Sequence, residues 1–293
     1  MTLILPFIAF LSGWLLASTP YVGSLKKIFS SVLARFFIPF VIIYNMVYYQ
    51  TGSLGLMCFS FISAILVYGY FVYRFKDRLI ALCASYINLA WLGFPFALAI
   101  FGHEISSAMI ALYVGGSIFG NVWSVTAVSQ EKQSPLAILK KVMKSPPVIA
   151  LIIAGICRLF HLQDFAEPKW LEQLYQVSKI GMIFTGMSVL GMWLRHTQVS
   201  KQDLIHSCKV MLPKLVLGAV ICSFTYFVIA NPFMNHYIGL MFFLFCLPPA
   251  ANIVALETHY QGTGYSARYI AAGTIISILM IAIYGVIWQF IKR

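Results

Sequence analysis

The chain has 293 residues, 61% of them hydrophobic and only 10% charged, and a formal net charge of +12. A soluble domain carries about 25% charged residues, so this chain lacks the polar groups to cover a water-facing surface; a soluble globular protein is excluded and lipid is its solvent. The positive charge follows from loop asymmetry across a membrane, and no nucleic-acid partner is expected.

A membrane-crossing helix needs about 20 mostly apolar residues. Ten stretches qualify, at 3–19, 27–50, 54–73, 79–101, 105–128, 145–162, 174–194, 209–230, 234–259 and 269–290. The first carries Pro6 and Gly13; no basic segment precedes it and Ala17-Ser18-Thr19 makes no cleavage site, so it is expected to stay as a helix. The second holds Arg35, read as snorkelling toward the cytoplasm, and Pro39. The fourth is interrupted at Gly93-Phe94-Pro95, with Asn88 ahead of the break, and runs out at His103-Glu104, read as a solvated turn. The fifth contains Gly116-x-x-x-Gly120, a close-packing pattern. The segment 129–144 is the longest loop and too short for a soluble domain. The sixth stretch opens on Pro146-Pro147 and carries Gly155. The ninth is interrupted at Pro248-Pro249, followed by Asn252 and Glu257. Six cysteines (58, 83, 157, 208, 222, 246) show neither a CxxC pair nor metal-ligand spacing and are read as packing residues.

The odd-numbered loops collect Lys26, Lys27 and Arg35, then Arg74, Lys76 and Arg78, then Lys132, Lys140, Lys141 and Lys144, then Arg195, Lys201, Lys209 and Lys214, and finally Arg268, which makes 15. The sixth loop (Arg158, Lys169, Lys179) and the C-terminus (Lys292, Arg293) supply the other 5. Cytoplasmic loops carry the Lys/Arg excess, so the odd loops are expected inside and both termini outside. The chain then reads as a single membrane domain over 1–293: a first five-helix repeat (1–128), a cytoplasmic loop (129–144) and a second five-helix repeat (145–293). An odd number of crossings inverts the second repeat, an arrangement common in secondary transporters.

The fourth helix of each half is the interrupted one. Proline inside a helix removes a backbone donor and clashes with the preceding turn, and freed backbone groups at membrane depth must be satisfied by protein or by a water-filled cavity. Paired interruptions of this kind are the best sequence pointer to a transporter's binding site. Half-helices starting near Pro95 and near Ala250 are expected to aim positive N-termini inward, making an anion site. Asn88 and Asn252 either contact the substrate or bond the free carbonyls of a neighbouring helix. Glu257 is a candidate for coupling to H+ or Na+; alternatively it reaches water or pairs with Arg268. No other cofactor and no metal is expected.

Asn88-x4-Gly93-x-Pro95 with Gly102 closing the helix resembles the fourth helix of the auxin efflux carrier family, which includes bacterial malonate and malate permeases. Leu247-Pro248-Pro249-Ala250-Ala251-Asn252 with Ala255, Glu257 and Tyr260 is similar to its ninth. Lys144-Ser145-Pro146-Pro147-Val148-Ile149-Ala150 and Pro39 match its sixth and second helices. The resemblance runs over essentially the whole chain. It implies an all-α membrane protein with crossed, broken helices 4 and 9, like the sodium/proton antiporters. Helices 1, 2, 6 and 7 would form a scaffold and dimer contact, and helices 3–5 and 8–10 a core moving as an elevator. It implies substrate-binding roles for Asn88, Gly93, Pro95, Pro248, Pro249 and Asn252. The short central loop resembles that of the bacterial members and implies a dicarboxylate or related organic acid as substrate rather than auxin; the resemblance as a whole implies a homodimer in a bacterial inner membrane.

An enzyme is not expected, since HExxH, GxSxG and paired-aspartate motifs are missing and the three Asp (77, 164, 203) lie near membrane edges or in loops. The alternative is a membrane sensor on a transporter-like fold that binds the anion without flux.

Overall fold

The computed structural model of the chain describes residues 4–48, 52–128, 134–164, 168–254, 257 and 265–291. Ala255, Tyr260, Lys132, Glu167, Lys292 and Arg293 lie outside them. Among the described residues the chain is all-helical, without strands, and six helices are long and apolar enough to cross a membrane, as in a multi-pass membrane protein.

In chain order the helices are α1 (Ile4–Leu16), α2 (Val22–Val47), α3 (Ser53–Phe75), α4 (Arg78–Ser85), α5 (Leu89–Phe101), α6 (Ser106–Val128), α7 (Pro135–Met143), α8 (Pro146–Leu159), α9 (Lys169–Leu194), α10 (Lys201–Ile229), α11 (Pro232–His236), α12 (Ile238–Cys246) and α13 (Tyr265–Ile291). Local signals start several of them. The Asp77 carboxylate accepts from the N–H groups of Leu79 and Ile80 at 2.7 and 3.0 Å and opens α4, and Ser200 with Asp203 forms a capping box at the start of α10. Gly102 closes α5 at φ +95°, a backbone region that glycine enters without steric penalty.

Pro95 behaves differently from the expectation, and Pro39 shares its setting. Pro39 and Pro95 each sit just after a five-residue turn of π-helix, at Leu33–Phe37 and Leu89–Gly93. The wider turn gives room for the ring and absorbs the missing donor, so the helix continues through Pro95 to Phe101. The interruption expected at Gly93-Phe94-Pro95 lies instead at Tyr86–Asn88, between α4 and α5.

The chain forms two compact units, each drawn from three separate segments of the sequence. The first takes residues 1–53, 90–110 and 140–196. In it α1 and α9 approach so closely that a Cβ on Gly13 would overlap the Ser188 backbone and one on Gly191 the Phe10 carbonyl; Ser188 Oγ donates to the Ala9 carbonyl at 3.0 Å. Lys179, assigned above to a loop, is buried within α9 with its ammonium 4.5 Å from the centre of the Tyr175 ring. That ring stacks on Tyr44 at 3.9 Å. A cation over an aromatic face keeps an electrostatic partner without water, which is how an interior position accepts this lysine. The second unit takes 54–89, 111–139 and 197–293 and contains the candidate site.

Candidate functional site

Within the second unit two interrupted helices meet. After α4 the backbone extends from Tyr86 to Asn88, and after α12 it extends from Leu247 through Ala250 before turning helical again at Asn252. The two extended pieces pair antiparallel. Asn88 N–H donates to the Pro248 carbonyl and Ala250 N–H to the Tyr86 carbonyl, both at 2.8 Å, with Ile87 opposite Pro249. In an antiparallel ladder every second residue pair exchanges no hydrogen bond. Pro249 occupies such a position, so its missing N–H leaves nothing unsatisfied. Each break thus supplies the partners that the other lost, which is the condition for tolerating open backbone at membrane depth.

Glycines on α6 make room for this crossing. A Cβ on Gly120 would overlap the Tyr86 ring, and one on Gly116 would come within 3.0 Å of Leu89. The Gly116-x-x-x-Gly120 pattern therefore seats the first break. From α13, a Cβ on Gly273 would lie 3.2 Å from Pro249.

Asn88 is buried; Asn252 is exposed and its Nδ2 donates to the Tyr86 hydroxyl at 2.9 Å. Asn88, Pro248, Pro249 and Asn252 are thus brought to one crossing. Gly93 and Pro95 belong to the first unit and do not form the break. The half-helix beyond the first break starts at Leu89 rather than near Pro95, and the one beyond the second starts at Asn252.

Sequence reasoning missed Lys214. Counted above with a loop, it stands midway along α10, 3% exposed, with its Nζ donating to the Leu247 carbonyl at 2.7 Å. Leu247 caps the C-terminal, electronegative end of α12, so the ammonium meets both a hydrogen-bond acceptor and a negative helix end. Its placement lowers the cytoplasmic tally from 15 to 14 and leaves the asymmetry intact. Lys214, Ser60, Ser63, Ser85 and Gly116 line a cavity behind the crossing that offers about 20 Å³ to the centres of water molecules. That is room for one or two waters, and too little for a dicarboxylate.

Of the expectations for Glu257, the one that it reaches water fails. It is fully buried and accepts from Ser266 Oγ at 2.8 Å, while Arg268 is exposed. The first turn of α13 brings the hydroxyl to the carboxylate, and a buried carboxylate needs such a donor. Among the described residues no three His, Cys, Asp or Glu gather to hold a metal ion.

No family model matches the chain, and no curated protein matches it.

Proposed function

We propose that this protein is a secondary active transporter of a small organic anion, a dicarboxylate such as malonate or malate or a related organic acid, working by alternating access. Ten crossings arranged as two inverted five-helix repeats belong to this reading, as do its place in the auxin efflux carrier family, external termini, a bacterial inner membrane and a homodimer. The observation that carries it is the antiparallel pairing of two interrupted helices, at Tyr86–Asn88 and Leu247–Ala250. Open backbone at membrane depth is tolerated only where protein or a water-filled cavity satisfies it, and paired interrupted helices of this kind recur at the binding sites of secondary transporters. The positive helix ends at Leu89 and Asn252 and the buried Lys214 favour negative charge there. In this reading the second unit, which contains the crossing, is the part that moves between access states.

In this reading the anion docks at the crossing against Asn88 and Asn252, on the side away from the small cavity. Glu257 takes up the coupling H+ or Na+. Only a ligand with different affinities for the two access states biases the exchange between them.

Asn88→Ala tests the assignment. One hydrogen bond to a charged ligand contributes about 1.5–3 kcal/mol, so the half-saturating anion concentration should rise by roughly tenfold or more. The backbone bond from residue 88 to Pro248 survives the substitution, so thermal stability in detergent should stay near that of the parent. Unchanged uptake kinetics in this variant would remove Asn88 from the site.

A further inference from the structure

The segment between the two expected repeats is more than a connecting loop. Pro135–Met143 forms α7, and nine residues reach only about 14 Å, too short to cross a membrane. Leu136, Leu139 and Met143 are 75%, 57% and 47% exposed. They recur at i, i+3 and i+7 and so share one face. Lys140 and Lys144, at i and i+4, share the adjoining face and are also exposed. Among the described residues no protein group covers these apolar side chains, yet the helix is held beside the membrane: only Lys144 and Ser145 separate α7 from α8, an apolar helix. Ser145 is extended at φ −72°, ψ 138°, and Pro146 starts the new helix, so α7 cannot run on into α8 and must leave it at an angle. A short helix with an apolar face and a lysine-bearing face, fixed at the end of an apolar helix, has the character of a helix lying in the membrane interface.

We propose that α7 is an anionic-lipid anchor: Leu136, Leu139 and Met143 enter the boundary between headgroups and acyl chains, and Lys140 and Lys144 bind anionic headgroups. Charge complementarity selects the occupant, because the leaflet facing the lysine-rich loops carries negative surface potential. The proposal is independent of what the protein transports. A nine-residue helix is marginal in water, so lipid contact is what holds α7 folded.

Hydrogen exchange on the full-length protein tests this. The protein is placed in nanodiscs of phosphatidylcholine alone, and in nanodiscs with phosphatidylglycerol added. Each lysine near an anionic surface contributes about a fivefold shift, so the amides of 136–143 should exchange more slowly by at least roughly tenfold in the anionic discs. Lys140→Glu with Lys144→Glu should erase that difference, and Leu136→Ser with Leu139→Ser should give fast exchange in both discs. The α9 amides, unchanged throughout, report that each variant is folded. Equal exchange of the parent protein in the two lipids would overturn the proposal. So would a lipid response that survives the double glutamate variant, or protection that arises only when a second protein is added.

Discussion

Lys214→Met is expected to reduce uptake of the transported anion by about thirtyfold or more while leaving a folded protein. The ammonium is one unit of positive charge beside the paired breaks, bonded to the Leu247 carbonyl. At an effective dielectric of about 20, a unit charge on the order of 8 Å from an anion is worth about 2 kcal/mol, a factor of about thirty. Methionine fills a similar apolar volume, so packing along α10 is kept. The Leu247 carbonyl loses its donor, which costs about 1–3 kcal/mol; relief from burying a charge offsets part of that. The thermal midpoint in detergent should therefore fall by a few degrees at most, and uptake should fall far more. Lys214→Arg keeps the charge and should retain more activity than the methionine variant. An unchanged rate in Lys214→Met would show that the lysine has only a structural role.

Gly120→Val is expected to have the largest effect on stability. Its Cβ would occupy the space of the Tyr86 ring, and that ring cannot move alone. The Tyr86 carbonyl accepts from Ala250 and its hydroxyl from Asn252, so displacing it pulls on both strands of the crossing. Overpacking of this kind costs about 1–3 kcal/mol, and here the top of that range or beyond is expected. A double-mutant cycle with Tyr86→Ala isolates the cause. Removing the ring gives the valine room, so the double variant should be more stable than the sum of the single effects predicts, by about 1–3 kcal/mol. Strict additivity, read from thermal denaturation in detergent, would mean that Gly120 acts away from Tyr86.

The apolar runs made the multi-pass helical character legible, because burial in lipid demands long uncharged stretches, and six such helices are present among the described residues. Pro248-Pro249 located the second break correctly, since two successive prolines remove two donors and no helix absorbs both. Pro95 misled because a single proline can be absorbed by one widened turn. The first break, Tyr86-Ile87-Asn88, carries no breaking residue; it is set by a partner about 160 residues away in the chain, and pairing of that kind leaves no local mark. Lys214 and Lys179 were assigned to loops by proximity to helix ends. A signal was present for Lys214: with Ser207, Met211, Gly218 and Cys222 it completes a stripe at helical spacing, all of it buried. A lysine on such a stripe reads as an interior charge. The same periodicity in 136–143 distinguishes α7 from the loop it was taken for.

Flux tests the central claim most directly. The purified protein is reconstituted in liposomes and offered labelled malonate, malate, oxalate or a monocarboxylate, with an imposed proton gradient, a sodium gradient or neither. A coupled organic-anion carrier predicts uptake of at least one acid that depends on one of the two gradients and falls sharply in Lys214→Met and in Asn88→Ala. Folded protein that takes up none of these acids under any gradient would contradict the transport reading and favour a sensor that binds its ligand without moving it.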